Sequence, residues 1–343
     1  MKMVVSPKIT VLMPVHNGSM HIREAVESIL TQTFDDFECL VIDDASSDDT
    51  VHIIRALNDP RIRIIESQER LYITGALNLG MSQAKGIYVA RMDGDDVALP
   101  DRLRVQFDYL ETHPDTGLCG GLASAFGSRQ GLCFRPPISH GEIQCYALFD
   151  SPFIHPTVML RREFFLRHNL MYDPNFQHCE DYELWTRAIR LFTSANLNHV
   201  VLHYRVHPGG VTQAAWSEMD ANAARVAARE LSGLNIIIDA HAVEFHRNVG
   251  RGRGFPIYRR ETLLQVEAWL QTLVTSNDKV MRYPARDFRR IISGVWYSAC
   301  YHSGVLGPWM LARYVMSPHR RARLTSPREW SALLLAAMKR SSI

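Results

Sequence analysis

Arg91-Met92-Asp93-Gly94-Asp95-Asp96, with Ile87-Tyr88-Val89-Ala90 before it and Pro100 after it, decides how this chain is read. The four apolar residues read as a buried strand. Beyond Pro100 the pattern is that of an amphipathic helix over residues 101–111. Three carboxylates therefore stand at the carboxyl end of a strand, where open α/β sheets bind their ligands. Like charges this close repel, and a cation between them relieves the repulsion. Hard oxygen ligands suit Mg2+ or Mn2+ carrying a phosphate-bearing substrate. Taken alone, the six residues also fit a solvated acidic turn with an aspartate capping the next helix.

Toward the N-terminus, Ile9-Thr10-Val11-Leu12-Met13, closed by Pro14, reads as a first parallel strand. Ile22, Ala25, Val26, Ile29 and Leu30 have helical spacing within residues 21–33. Strands are expected over 37–42, 61–66 and 86–92, with helices over 50–57 and 71–84. This alternation implies right-handed βαβ units and a mostly parallel sheet flanked by helices. Asp43-Asp44 ends the second strand, so this pair and Asp93/Asp95 are expected on one crevice. Neither G-x-G-x-x-G nor G-x-x-x-x-G-K-[ST] occurs, so phosphate is expected to be held through metal.

Toward the C-terminus, residues 117–140 are rich in Gly and Ser and read as short strands and loops. Strand character returns over 153–161 and 200–207, the second run leading into Pro208-Gly209-Gly210. Between them Leu184, Trp185, Ala188, Ile189 and Phe192 trace a helix face. Glu180 and Asp181 then occupy a first helical turn, where the helix dipole favours negative charge. Taken alone, that pair reads as a plain helix start ahead of catalysis.

The chain has 343 residues, 46% of them hydrophobic, enough for one large domain or two ordinary ones. From Arg247 onward there are 17 Lys and Arg against 5 Asp and Glu, a net of +12 that leaves −10 for the rest. A basic tail of this kind meets phosphate, in lipid headgroups or nucleic acid. The six cysteines form no C-x-x-C pair, which argues against a zinc site or a disulfide framework. The first eight residues show no signal-peptide apolar region, so a cytoplasmic setting is the expectation. Gly250-Arg251-Gly252-Arg253-Gly254 reads as a flexible hinge. Residues 291–312 carry no charge over 22 positions, a length that permits a membrane span. His302 and Pro308 inside the run favour a buried helical hairpin or helices lying on a membrane surface.

Together these segments resemble the family 2 glycosyltransferases with a GT-A fold, the bacterial surface-polysaccharide type above all. The resemblance runs over about 210 residues. It is carried by Val11-Leu12-Met13-Pro14-Val15-His16-Asn17-Gly18, by Val41-Ile42-Asp43-Asp44-Ala45-Ser46-Ser47-Asp48-Asp49-Thr50 and by Ala76-Leu77-Asn78-Leu79-Gly80. Ala90-Arg91-Met92-Asp93-Gly94-Asp95-Asp96, Leu99-Pro100-Asp101-Arg102-Leu103, His155-Pro156-Thr157, Glu180-Asp181-Tyr182-Glu183-Leu184-Trp185 and Tyr204-Arg205-Val206-His207-Pro208-Gly209 complete the set. The resemblance implies that Asp44 hydrogen-bonds the nucleotide base and that Pro14, Val15 and His16 line its pocket, His16 standing where the family often has Tyr. It implies that Asp95 binds the metal, that Asp93 contacts ribose or metal, and that Asp181 is the catalytic base. Leu77 stands where other branches have Arg, and Arg91 is expected to supply the missing charge near the diphosphate. His207 is a further candidate ligand for metal or diphosphate, whereas His155 reads first as structural.

The expectation is thus a metal-dependent (Mn2+ or Mg2+), inverting transfer from a nucleotide-sugar donor, UDP-sugar favoured, to a glycan or lipid-linked acceptor. Residues 1–215 would form the catalytic domain, with a nucleotide-binding half over 1–112 and an acceptor-binding half over 113–215. Residues 216–343 would form a helical, basic region with no nucleic-acid role, meeting the cytoplasmic face of the inner membrane peripherally or packing a homodimer. A sugar nucleotidyltransferase is the first rival, yet residues 14–19 hold none of the Lys or Arg that its phosphate loop needs. A non-catalytic nucleotide- or polyanion-binding protein is the second. It leaves Asp44, Asp93, Asp95 and Asp181 at four element ends unexplained.

Overall fold

Seven consecutive buried residues make β1 (Ile9–Val15), and seven more make β2 (Phe37–Asp43). The computed structural model describes residues 6–207, 215–251, 259–322 and 325–338 and places both strands inside a nine-stranded sheet. With β3 (Ile62–Glu66) and β4 (Tyr88–Arg91) they form a parallel quartet in the order β3-β2-β1-β4. Strands covered on both faces cannot alternate polar and apolar, which is why β1 and β2 read as continuous apolar runs. The crossovers are α1 (Ile22–Leu30), α2 (Thr50–Arg55) and α3 (Tyr72–Gln83). Helix α1 buries Ile22, Ala25, Val26 and Ile29, the i, i+3, i+4, i+7 stripe of a core-facing helix. Val15 pairs with Asp43 and Leu12 with Arg91, so the carboxyl ends of three strands meet at one edge, as the acidic pairs require.

The second half comprises β5 (Val97–Ala98), α4 (Arg102–Thr112), β6 (Thr116–Gly127), β7 (Cys133–Phe134) and α5 (His140–Tyr146). It continues with β8 (Met159–Arg161), α6 (Arg162–Arg167), α7 (Glu180–Ala188) and β9 (Thr193–Val206). The sheet runs on as β4-β8-β6-β9-β5, with β7 on β6. Strand β8 is antiparallel to both neighbours, and β9 is parallel to β6 but antiparallel to β5. Three local expectations change. Residues 117–140 begin not with loops but with the 12-residue strand β6. The 153–161 strand shrinks to Met159–Arg161, because His155–Thr157 takes a 3-10 turn around Pro156. The 200–207 strand starts seven residues earlier, at Thr193. Phe192 lies past the end of α7 and packs against Phe164 and Phe165.

The chain divides into two units. The first runs to Ile143 and takes in Ser151–Asn222; the second holds Gln144–Asp150 and everything from Ala223. The boundary falls within α8 (Trp216–Ser232). The second unit continues with α9 (Ala240–Arg251), α10 (Arg260–Val280), α11 (Ala285–His302), α12 (Pro308–Met316) and α13 (Pro327–Met338). Its core holds Leu270, Phe288, Trp296, Met310 and Tyr314. Gly250 lies in α9 rather than in a hinge; residues 252–254 and 208–214 are outside the described residues, as are Arg323 and Arg340. The uncharged run 291–312 spans the end of α11, a 3-10 turn at Gly304–Leu306 and the start of α12. Gly307, at φ +61°, and Pro308 at the first helical turn separate the two helices. This is the hairpin reading: no helix among the described residues is long and apolar enough to cross a membrane.

Candidate active site

The sheet hands over to the acidic loop at Met92, whose N–H donates to Leu12 O at 3.0 Å. Carboxylate oxygens of Asp93, Asp95 and Asp96 then lie within 4.8 Å of one another. Each is held differently. Asp93 Oδ2 accepts from Arg91 Nη1 at 2.5 Å. Asp95 Oδ2 sits 3.0 Å from His207 Nε2, and its backbone oxygen accepts from Arg205 Nε at 2.6 Å. Asp96 is buried; Oδ1 accepts from Arg205 N at 2.7 Å, whereas Oδ2 is buried with no partner among the described residues. Burial first, then the neighbouring carboxylates Asp93 and Asp95, pushes Asp96 well above the usual carboxylate range. Burial raises Asp93 too, against the pull of Arg91. A carboxylate cluster so disfavoured, with one buried oxygen unclaimed and an imidazole on its rim, fits a hard divalent cation. Asp93, Asp95, Asp96 and His207 are the residues that would hold it.

Two groups support this loop from outside it. Arg102 is fully buried and donates to Arg91 O at 2.6 Å, Met92 Sδ at 3.1 Å and Gln106 Oε1 at 3.2 Å. Burial pulls its pKa down to about 10 while Asp96 holds it up. His21 packs edge-on to His207 with ring centroids 5.5 Å apart.

At the end of β2, Asp44 is buried and thoroughly engaged. Arg70 Nη1 lies 3.0 Å from its Oδ2, and Leu71 N donates to its Oδ1. His16 Nδ1 is 2.8 Å from Asp44 O, and Asp44 N donates to Val15 O at 2.8 Å. Of the three pocket candidates, Pro14 and Val15 close β1 with buried side chains, and only His16, just past the strand, is exposed. Asp43 is buried beside them, with Oδ2 accepting from Ser46 N at 3.2 Å.

Helix α7 begins after Cys179, which takes the cap position without a side-chain hydrogen bond. Asp181 is half-buried on the first turn, and Ser151 Oγ donates to its Oδ2 at 3.3 Å. Glu180 beside it is buried, and its Oε2 has no partner among the described residues. Burial and then the charge of Asp181 push Glu180 up to about 7, with Arg91 pulling the other way. Arg91 is itself buried and paired with Asp93, so its charge serves the acidic loop first. His155 Nε2 meets Tyr172 Oη at 3.1 Å and its Nδ1 is 4.0 Å from Glu180. Burial, and then the Arg91 charge, pull this imidazole well below its ordinary pKa.

Sequence assigns no individual role to Arg205, Arg70 or Arg102, and it gives Asp96 only as one of three clustered carboxylates. Arg205 and Asp96 lie inside motifs that carry the resemblance, so the signal was present but unassigned. Arg102 lies in such a motif too, but on an amphipathic helix after Pro100-Asp101 an arginine ordinarily reads as solvated. Only the fold buries it.

A model of the family described as "Glycosyl transferase family 2" matches residues 10–169. The chain is 30% identical over 207 residues to the O-antigen biosynthesis glycosyltransferase WbnJ of Escherichia coli, a match covering 58% of this chain and 80% of that protein. It also resembles the crystal structure of S. aureus TarS 1-349 in complex with UDP-GlcNAc, with a TM-score of 0.58 at 17% identity over 91% of this chain and 89% of that one. A third likeness is to mannosyltransferase PcManGT from Pyrobaculum calidifontis in complex with GDP-Man and Mn2+. There the TM-score is 0.52 at 16% identity, covering 98% of this chain and 88% of that one.

Proposed function

This chain belongs to glycosyl transferase family 2, and we propose that it moves a sugar from a nucleotide-diphosphate sugar to a hydroxyl of a glycan or lipid-linked acceptor. A UDP-sugar is the favoured donor and polysaccharide biosynthesis the setting. The O-antigen relative and the UDP-GlcNAc-bound structural neighbour support those choices. Asp44 receives a base N–H, with His16 beside it. Asp95, together with Asp93, Asp96 and His207, holds Mn2+ or Mg2+; the Mn2+-bound neighbour supports the ion. The cation supplies Lewis-acid neutralisation of charge on the leaving diphosphate. Asp181 accepts the proton of the acceptor hydroxyl as its oxygen bonds to the anomeric carbon and the bond to the diphosphate oxygen breaks. Attack from the face opposite the leaving group inverts that carbon and needs one base and no covalent nucleophile.

The observation that carries this reading is the convergence of three carboxylates within 4.8 Å, one with a buried, unpartnered oxygen. The test is nucleoside diphosphate release from a panel of nucleotide sugars with and without Mn2+, for the native protein, Asp95→Ala and Asp181→Ala. Metal-dependent release with one donor is expected, with the Asp181→Ala rate lower by about 10²–10⁴ and its fold intact. Release unaffected by either substitution would sink the assignment.

The basic C-terminal region is part of the same proposal, as a peripheral contact with an anionic membrane that presents a lipid-linked acceptor. Its support is the net charge of +12 from Arg247 onward and one helical face of α13, where Leu334, Leu335 and Met338 are exposed.

A further inference from the structure

Tyr72 opens α3 with φ at +55°, a backbone that glycine adopts freely and a tyrosine does not. Its side chain is not compensated by burial, since the residue is 54% exposed. What it touches is Arg70, whose guanidinium carbon lies 5.1 Å from the ring centroid. The same guanidinium is 3.0 Å from Asp44 Oδ2 and donates to Asp44 O at 3.1 Å. The intervening Leu71 N–H donates to the other carboxylate oxygen of Asp44. Residues 70–72 therefore wrap one buried carboxylate and leave an aromatic ring and a half-exposed guanidinium beside it. A strained residue that persists without burial is a pointer to function.

We infer that Tyr72, backed by Arg70, is the stacking wall for the donor's nucleobase and a determinant of nucleotide affinity. The inference rests on the reading of Asp44 as the acid that receives the base N–H. A flat heteroaromatic ring bound there has an aromatic face and a planar cation alongside, both of which attract its π-system. Left-handed geometry at residue 72 is what turns a large side chain toward this rim instead of along the helix.

Tyr72→Gly separates this role from a structural one, because glycine relieves the backbone while deleting the ring. Calorimetric binding of UDP and GDP in Mn2+ is measured for the native protein, Tyr72→Gly, Tyr72→Phe and Asp44→Ala, with melting temperatures alongside. The expected result is binding of at least one nucleotide that weakens about tenfold in Tyr72→Gly. Its melting temperature should be equal or higher, and Tyr72→Phe should stay near native. Unchanged affinity in Tyr72→Gly, with Asp44→Ala weakened, overturns this inference and leaves the Asp44 reading standing. Unchanged affinity in Asp44→Ala, or no nucleotide binding by the native protein, overturns the Asp44 reading and this inference with it.

Discussion

At Asp96 a single oxygen stays buried with nothing among the described residues to bond it. Its carboxyl is raised by burial and by Asp93 and Asp95, so the metal-free fold holds its charged form less favourably than the unfolded chain does. A raised carboxyl loses stability as pH climbs from the unfolded value through the folded one. Asp96→Asn removes that penalty at neutral pH while deleting a ligand charge. The metal-free variant should therefore melt higher than native, and the rise in melting temperature that Mn2+ gives should shrink or vanish. Thermal scans with and without Mn2+ decide it; a variant that melts lower without metal and still gains fully from Mn2+ would refute the assignment. Residues of this kind are half legible in sequence. Asp44, Asp93 and Asp95 stand at strand ends that an apolar run announces. The roles of Arg70, Arg102 and Arg205 emerge when partners 26, 11 and 110 positions away arrive beside them.

Among the elements, β1, β2 and α1 were readable because burial on two faces or one stripe leaves an unbroken or a 3.6-period pattern. Strand β6 was not, because its glycines imitate loop composition. They are there for close packing: a Cβ on Gly120 would lie 2.2 Å from Asn196 Oδ1, and one on Gly121 would lie 2.7 Å from Val201 Cγ2. Gly120→Ala should accordingly destabilise by about 1–3 kcal/mol. Urea unfolding measures this, and a neutral result would mean β6 and β9 can separate at no cost. Helix α9 carries a second test. Its His246 is fully buried, meets Leu148 O through Nε2 at 2.8 Å and accepts from Trp269 Nε1 at 3.1 Å. Burial lowers it to about 4 from 6.5, so the folded chain refuses a proton that the unfolded chain takes up. The stability it contributes is complete above pH 6.5 and is lost as pH falls toward 4, roughly 2 kcal/mol between pH 7 and 5. Urea midpoints at both pH values should fall more steeply for the native protein than for His246→Gln; equal slopes would discard the argument.

For the molecule as a whole, charge is the clearest message that sequence alone delivers. The chain keeps +12 of net charge from Arg247 onward and −10 before it, a separation that no single element shows. Flotation with vesicles containing anionic phosphatidylglycerol should carry the protein upward at low salt, less at 0.5 M salt, and less again for Leu334→Ser/Leu335→Ser. Protein that stays at the bottom at every salt concentration means the tail serves something else, a second copy of the chain included. What sequence hides at this scale is division: residues 144–150 belong with the C-terminal unit although strands of the first unit flank them on both sides.

The bond from Arg205 to the Asp95 carbonyl links positions 110 residues apart, and the pairing of β6 with β9 joins Thr116 to Thr193. Contacts this distant along a chain form late, because a long loop must close before they return any energy. On a ribosome adding roughly 5–20 residues per second, Asp95 waits on the order of 5–20 s for Arg205 to be made. Until then the nascent chain has the parallel quartet and the acidic loop but not the arm that pins it. The loop that carries the three carboxylates is thus unpinned until synthesis has passed residue 205 of 343.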